Sequence, residues 1–412
     1  MNDKVWVVNR GVDTLVINGY STDGGKSVKR DIDDSLAVQL DEWKKAAQEM
    51  AEPYATPWVF EGACLHMQPN GAGRGQWPWM LKSKDITLYL SRGRWNGVAS
   101  VRFTSEFLWS SQGVLDAIVK VDAFLYDIFQ QELFLQLSEV HLCADIVNWK
   151  DVESLDRRQN FVLRSRKRGE HHEPDWGYDL KVDAYSYGLC ETGFDFSKRG
   201  PLSCTIYDKI REMKASGKEW FADLWRVRGW NEVEEGHVWR VEFKFKREAL
   251  HELKQEDVFH GIEDVYDLPG RLPVLWTYAV GHVGGGDDGL PDGWLRCVLP
   301  NGDKNRSRWP THPAWEVVQG AFRDAMEVPD HFGKVVRQRR EERNIEKGLE
   351  AIIGYATSLS AWVGGDLADP GIDLSVFLHW LAINGEKYLE RKQWEFGTEV
   401  QRKRIKFGLQ AS

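Results

Sequence analysis

No run of about 18 apolar residues occurs anywhere in the 412 residues, which excludes a membrane-spanning helix. Cysteine is scarce. The five (Cys64, Cys143, Cys190, Cys204 and Cys297) form no CxxC pair, and an odd number cannot fully pair. This argues against a disulfide framework and against a cysteine zinc site. GxxxxGK[ST] is missing, so a P-loop ATPase is not expected, and GxSxG and HExxH are missing too. The eleven histidines contain no HxH pair; His171 and His172 are adjacent and read as a surface pair. Positive charge is not in excess: 54 Lys and Arg face 63 Asp and Glu, a net charge of −9. That rules out a uniformly basic nucleic-acid coat but not a local basic stripe. The opening MNDKVWVVNR has no charged segment followed by an apolar one, so the expectation is a reducing cytoplasm.

Tryptophan, by contrast, is abundant, at twenty residues. It serves cores, interfaces and base stacking alike, and packing accounts for most of it. Hydrophobic residues make up 42% of the chain, enough for a real core. Residues 4–20 read as an opening strand pair, and 27–53 as a helix with Leu36, Val38, Leu40 and Trp43 along its apolar stripe. Strands are expected over 57–67, 77–91, 97–109 and 137–148, with an amphipathic helix over 113–136. Strands resume at 181–210 and at 237–247, separated by a helix-like stretch from 210 to 225, and a helix follows at 248–257. Residues 281–293 are a Gly-rich loop, and after 310 the chain is mostly helical with a break at 364–371. The pattern is α+β: a mainly antiparallel sheet with flanking helices and a helical C-terminal region. The expected division is a catalytic domain over 1–320, with possible sheet-and-helix halves at 1–150 and 180–320, and a helical region over 321–412.

Three constellations could carry chemistry. In VHLCADIVN, strand spacing puts His141, Cys143 and Asp145 on one face; a carboxylate there is costly unless paired or metal-bound, although Asp145 could also cap the strand's end. In HVWRVEFKFKR, period two puts Trp239, Val241, Phe243 and Phe245 on one face and Arg240, Glu242, Lys244 and Lys246 on the other. The charged face is either simply solvated or a charged floor that binds metal through Glu242 and phosphate through Arg or Lys. In GFDFSKRGPLSCTIYDKIREM, the strand LSCTI delivers Tyr207, Asp208 and Lys209 just after Lys198 and Arg199. A Tyr hydroxyl with a pKa near 10 needs a nearby cation to serve as a nucleophile, and a strand-end Tyr is otherwise a packing residue. The densest basic run is DRRQNFVLRSRKR, residues 156–168, either a solvated loop or a phosphate clamp including Arg164, Arg166, Lys167 and Arg168. KVVRQRREER, 334–343, reads as a basic helix start.

Taken in order, VDTL at 12–15, VHLCADI, SCTIYDK and WRVEFK resemble the replication initiation factor family. This family comprises rolling-circle plasmid initiators with related phage replication proteins and integrative-element relaxases. GWLRCVLP at 293–300 and RWPTHPAW at 308–315 resemble its later segments, so the likeness covers about residues 8–315. It implies a metal-dependent, sequence-specific DNA nicking and joining enzyme that forms a 5′-phosphotyrosine intermediate. Tyr207 matches the family's nucleophile, with Lys209 and Arg240 as catalytic partners. Asp145, Glu242 and Asp13 match its acids, implied ligands of Mg²⁺ or Mn²⁺. Arg164, Arg166, Lys167, Arg168, Lys198 and Arg199 are the DNA-binding candidates. The upstream YxG position falls on Phe194 and Phe196, and His141 stands where the family has Arg. The partners implied are double-stranded origin DNA, single-stranded DNA and a host helicase, with a homo-oligomer as a further option. The competing readings are a conjugative relaxase or a non-catalytic DNA-binding protein on this scaffold, and an unrelated α+β hydrolase using the carboxylates.

Overall fold

The structure is a computed structural model that describes residues 4–23, 26–28, 31–93, 97–164, 182–187, 190–232, 236–255, 258–283, 293–325, 335–337, 345–369 and 371–406. It divides into two compact units, Met1–Gln338 and Arg339–Ser412. Among the described residues no helix is long and apolar enough to cross a membrane.

The first unit is organised by one twelve-stranded sheet, antiparallel at every pairing. Its strands are β1 (Trp6–Asp23), β2 (Lys26–Val28), β3 (Tyr54–Phe60), β4 (Ala63–Met67), β5 (Trp79–Lys82), β6 (Ile86–Leu90), β7 (Ala99–Phe103) and β8 (Leu133–Val147). Then come β10 (Val182–Tyr187), β11 (Cys190–Phe196), β12 (Leu202–Asp208) and β13 (Val238–Lys246); the short β9 (Phe161–Leu163) lies in a separate two-stranded sheet. The order is β10-β11-β12-β13-β8-β1-β7-β6-β5-β4-β3, with β2 on β1. The early and late strands therefore share one sheet, joined at its centre by β8 and β13.

Among the described residues the helices of this unit include α1 (Asp34–Met50), α2 (Ser105–Ser110), α3 (Val114–Phe129), α4 (Arg157–Asn160), α5 (Lys209–Ser216), α6 (Trp220–Val227), α7 (Arg247–Glu252), α8 (Leu268–Val280) and α9 (Pro313–Gln319). Helix α1 starts where the Asp33 side chain caps the Ser35 N–H, and it buries Ala37, Leu40, Trp43 and Ala47 while Val38 stays exposed. The expected helix over 113–136 is shorter. Gln130 turns left-handed with φ 52° and ends α3, and the alternating LFLQ that follows opens β8. The expected opening strand pair is instead one 18-residue strand, because β8 runs beside nearly all of it. The segment expected as a basic helix start contains the strand Val335–Arg337, paired with Leu253–Gln255.

The two faces of the β8–β13 centre differ in kind. Leu142, Ala144, Ile146, Trp239, Val241, Phe243 and Phe245 join the main core, where Phe243 meets Trp276 of α8 edge-on at 5.5 Å. The opposite face carries the polar residues.

Candidate active site

Register alone assembles this polar face. Arg240 lies opposite Asp145, Glu242 opposite Cys143 and Lys244 opposite His141 on β8. On the other side, Tyr207 lies opposite Arg240 and Thr205 opposite Glu242 on β12. Strand β1 changes register between Val12 and Thr14, so Asp13 falls at a bulge, and its carboxylate reaches Arg240.

The deep end is an ion-pair network. Arg240 is fully buried and donates to Asp145 from Nε (2.6 Å) and Nη2 (2.9 Å), and to Asp13 from Nη1 (2.5 Å). Trp225 Nε1 gives Asp145 a further hydrogen bond at 3.0 Å. Burial would raise the Asp13 carboxyl, but Arg240, backed by Lys209, outweighs it and holds that group below the usual carboxylate range. The cover is a second apolar cluster containing Phe221, Trp225, Trp230, Met213 and Val238. The Phe221 ring lies 4.6 Å from the Arg240 guanidinium and 4.3 Å from the Lys209 ammonium. Lys209 is buried and bonded to Glu212 Oε2 at 2.5 Å. Asp208 ends β12 by capping α5 through the Arg211 N–H, and also pairs with His237 at 3.0 Å.

The shallow end is a hydrogen-bonded chain. Tyr207 donates its hydroxyl to Glu242 Oε2 at 2.9 Å. Glu242 Oε1 lies 2.8 Å from His141 Nδ1, and His141 Nε2 lies 2.9 Å from Glu139 Oε1. Lys244 Nζ closes on the same Glu139 oxygen at 2.9 Å. Burial, and then the Glu242 carboxylate, push the Tyr207 hydroxyl well above its ordinary pKa. Burial opposes charge on His141, but hydrogen bonds to Glu139 and Glu242 prevail and raise its pKa. Burial also opposes charge on Glu139, yet its bonds from His141 and Lys244 bring it down to about 2. The side chains of Lys244 and Arg102, respectively 32% and 47% exposed, are cations of this end that solvent reaches.

The expected ligand trio Asp13, Asp145 and Glu242 does not face a common point. Asp145 and Asp13 converge on Arg240, while Glu242 turns to Tyr207 and His141. The donors that Asp145 already accepts use most of its lone pairs, so a cation could reach it only by stripping a fully buried guanidinium. Among the described residues no group of three or more His, Cys, Asp and Glu side chains is arranged to hold a metal ion. Arg240 and Lys209, expected to meet phosphate, are both buried beneath the aromatic cover.

Of the DNA-binding candidates, Arg164 follows β9 and is exposed. Lys198 and Arg199 are exposed on the turn between β11 and β12, and Lys198 lies 3.6 Å from Asp195. That turn is at the far end of β12 from Tyr207, about 17 Å along the strand from Leu202 at about 3.4 Å per residue. Arg166, Lys167 and Arg168 lie outside the described residues, as do His171, His172 and most of the Gly-rich loop.

The sequence reading missed several parts of the site. Glu139 extends the His141, Cys143, Asp145 series by one step, so period two could have found it. Gly193 faces Tyr207 across the β11–β12 ladder, and a Cβ there would stand 2.7 Å from the Tyr207 Cβ. Phe221 and Trp225 carry no local signal, because their role arises only when α6 folds over the sheet.

No family model and no curated protein matches the chain. In three dimensions it is similar to a rolling circle replication initiator protein from Geobacillus stearothermophilus. The two share 11% sequence identity over 80% of this chain and 100% of that one, with a TM-score of 0.38. A likeness at that level bears on neither residue roles nor chemistry.

Proposed function

We propose that this chain is a DNA nicking and joining enzyme of the rolling-circle initiator type, with Tyr207 as its nucleophile. The observation that carries the reading is the 2.9 Å hydrogen bond from the Tyr207 hydroxyl to Glu242, continued through His141 to Glu139. Because burial and Glu242 raise the Tyr207 pKa, no phenolate stands ready. The proton must leave as the bond to phosphorus forms, and Glu242 is within reach to take it. His141 then takes that proton from Glu242 at Nδ1 and is held as an imidazolium between Glu242 and Glu139, returning the base for the next event. The Tyr207 Oη–P bond forms, the bond from phosphorus to the 3′ oxygen breaks, the 3′ oxygen takes a proton from solvent, and the 5′ phosphate stays on the protein. Reversal by the freed 3′ hydroxyl rejoins the strand without ATP, consistent with the absence of a P-loop.

The scissile strand enters this reading from the shallow end, past Lys244 and Arg102. Arg164, Arg166, Lys167, Arg168, Lys198 and Arg199 hold flanking phosphates. Arg240 and Lys209 act from beneath, by fixing the sheet face and the local field. To hold Mg²⁺ or Mn²⁺ together, Asp13, Asp145 and Glu242 would have to release Arg240, Tyr207 and His141. Origin duplex, single-stranded DNA and a host helicase are the partners the reading calls for, in replication or in conjugative transfer.

The burial of Lys209 and Arg240 beneath the aromatic cover, with Tyr207 half-buried beside them, favours a second reading, a DNA-binding protein on this scaffold without catalysis. Supercoiled origin DNA incubated with the protein and Mn²⁺ decides between them. Nicked circles with protein on the 5′ end, absent with Tyr207→Phe, support the first. A retarded but intact circle supports the second.

A further inference from the structure

The polar face of the sheet continues beyond Glu139, away from Tyr207. Register carries one row of side chains across six strands: Lys246 on β13, Glu139 on β8, Val16 on β1, Arg102 on β7, Thr87 on β6 and Lys82 on β5. A second row beside it runs through Asn18, Ser100, Tyr89 and Met80. The residues between these rows, Ile17, Val101, Leu88 and Leu81, turn the other way into the main core, where α1, α2 and α3 bury their apolar side chains. The outward residues are not buried in that way. Lys82 and Arg102 are exposed, Val16, Asn18, Thr87, Tyr89 and Met80 are half-buried, and only the small Ser100 is buried.

This outer face has a chemistry of its own. Strands β5, β6 and β7 contain no Asp or Glu. In a chain of net charge −9, the face gathers Lys82, Arg102, Lys244 and Lys246. Glu139 takes Lys244 at 2.9 Å and lies 3.9 Å from Arg102, while Lys82 and Lys246 have no acidic partner among the described residues. Aromatic rings stand among these cations: the Trp77 ring centre lies 6.3 Å from that of Tyr89, and both side chains are half-buried. Cations with half-open rings suit a polymer of phosphates and flat bases, since the cations meet phosphate and the rings stack on bases. An acidic peptide would use the cations and leave the rings idle. A duplex does not fit, because the face carries no helix or ribbon to enter a groove and paired bases hide their faces in the stack. From β13 to β5 there are five strand spacings of about 4.8 Å, a track of about 24 Å.

We infer that the outer face of β1, β7, β6 and β5 is a track for single-stranded DNA, running from the shallow end of the site toward Tyr89 and Lys82. It rests on the proposed function only for the choice of DNA as the polymer, and it concerns binding, not cleavage.

Fluorescence anisotropy with the full chain and an oligothymidine of about 16 residues, which carries no origin sequence, gives the test. Tyr89→Ala should weaken binding by about fivefold or more, the loss of one stacked base, and Tyr89→Phe, which keeps the ring, should bind as the wild type does. Lys82→Ala should lower the slope of log affinity against log salt by about 0.7, one phosphate contact on a single strand. An abasic strand of the same length should bind more weakly and ignore Tyr89→Ala. Unchanged affinity of a folded Tyr89→Ala protein overturns the track, as does an unchanged slope with Lys82→Ala. A duplex that binds as tightly as the oligothymidine and responds equally to both substitutions also overturns it. Should Tyr89→Ala not fold, the exposed Lys82 decides through its slope. Either failure would leave Tyr207-dependent nicking of origin DNA untouched. A protein that holds the oligomer through Tyr89 yet never nicks would keep the track and lose the proposed chemistry.

Discussion

Arg240 grips Asp145 through two parallel hydrogen bonds, Nε to Oδ1 at 2.6 Å and Nη2 to Oδ2 at 2.9 Å, and neither side chain touches solvent. Removing Asp145 leaves the fully buried Arg240 charge with Asp13 as its one remaining carboxylate in this network. Asp145→Asn should therefore cost about 3–5 kcal/mol in urea unfolding. A paired apolar replacement, Asp145→Leu with Arg240→Met, should recover only part of that loss, because Asp13 then loses its Arg240 partner; adding Asp13→Asn should recover more. If Asp145 were a cation ligand instead, Asp145→Asn would cancel any Mn²⁺-dependent rise in melting temperature and cost little without the ion. The ion-pair role requires the opposite on both counts.

The Tyr207 hydroxyl is a small part of the fold and the whole of the proposed chemistry. Tyr207→Phe removes one hydrogen bond to Glu242, worth about 1 kcal/mol in stability. Cleavage and formation of the covalent adduct should fall below detection, while DNA affinity by fluorescence anisotropy stays within about threefold, or about 0.65 kcal/mol. Undiminished nicking would redirect the search to Tyr185 or Tyr187.

What the sequence conveyed was local and periodic. Alternation in WRVEFKFK shows which side chains of β13 share a face, and the same rule unites His141, Cys143 and Asp145. Antiparallel α+β character follows from strand and helix spacing. Pairing is another matter. Asp145 meets Arg240 because β13 lies beside β8 in a register that sets the two opposite each other, and that register is not written in either strand's own alternation. Asp13 reaches the site only because β1 bulges there, and nothing in VDTL marks a bulge. Gln130 could equally continue a helix, and it ends one because LFLQ finds a partner strand in β1. The cover by Phe221 and Trp225 belongs to tertiary structure alone.

The pair Glu139 and His141 should shape the pH dependence of stability with opposite signs. The Glu139 carboxyl is lowered from 4.5 to about 2, so its contribution is complete above 4.5 and is lost as pH falls toward 2. The His141 pKa is raised above 6.5, so its contribution is complete below 6.5 and is lost as pH rises through the raised value. Stability from this pair is therefore greatest between about pH 4.5 and 6.5. Glu139→Gln should flatten the acid limb and lower the His141 pKa, measurable by imidazole NMR titration. An unchanged His141 titration would mean that Glu242 alone sets it.

If Arg164, Arg166, Lys167 and Arg168 contact phosphate, replacing all four by Ala removes four released counterions. The slope of log affinity against log salt on duplex DNA should then drop by about 0.9 for each. Lys198→Ala with Arg199→Ala should drop it by about 1.8 more if the β11–β12 turn lies on the same DNA path. A slope that does not move returns these residues to a solvated surface.

Gly193 gives a way to move Tyr207 without touching its chemistry. A Cβ at 193 would stand 2.7 Å from the Tyr207 Cβ and 2.8 Å from the Ile206 carbonyl oxygen, so backbone on β11 or β12 must shift. Overpacking of this kind costs about 1–3 kcal/mol, which the unit can bear at moderate temperature. The displacement carries the Tyr207 hydroxyl away from Glu242, and a misplacement of about 1 Å can cost about a hundredfold in rate. Gly193→Ala should accordingly slow cleavage by about that factor, with DNA affinity and its salt slope unchanged. A packing-only role for Tyr207 predicts the stability loss without the rate loss. Wild-type cleavage by a destabilised Gly193→Ala protein would therefore count against Tyr207 as the nucleophile, even before Tyr207→Phe is made.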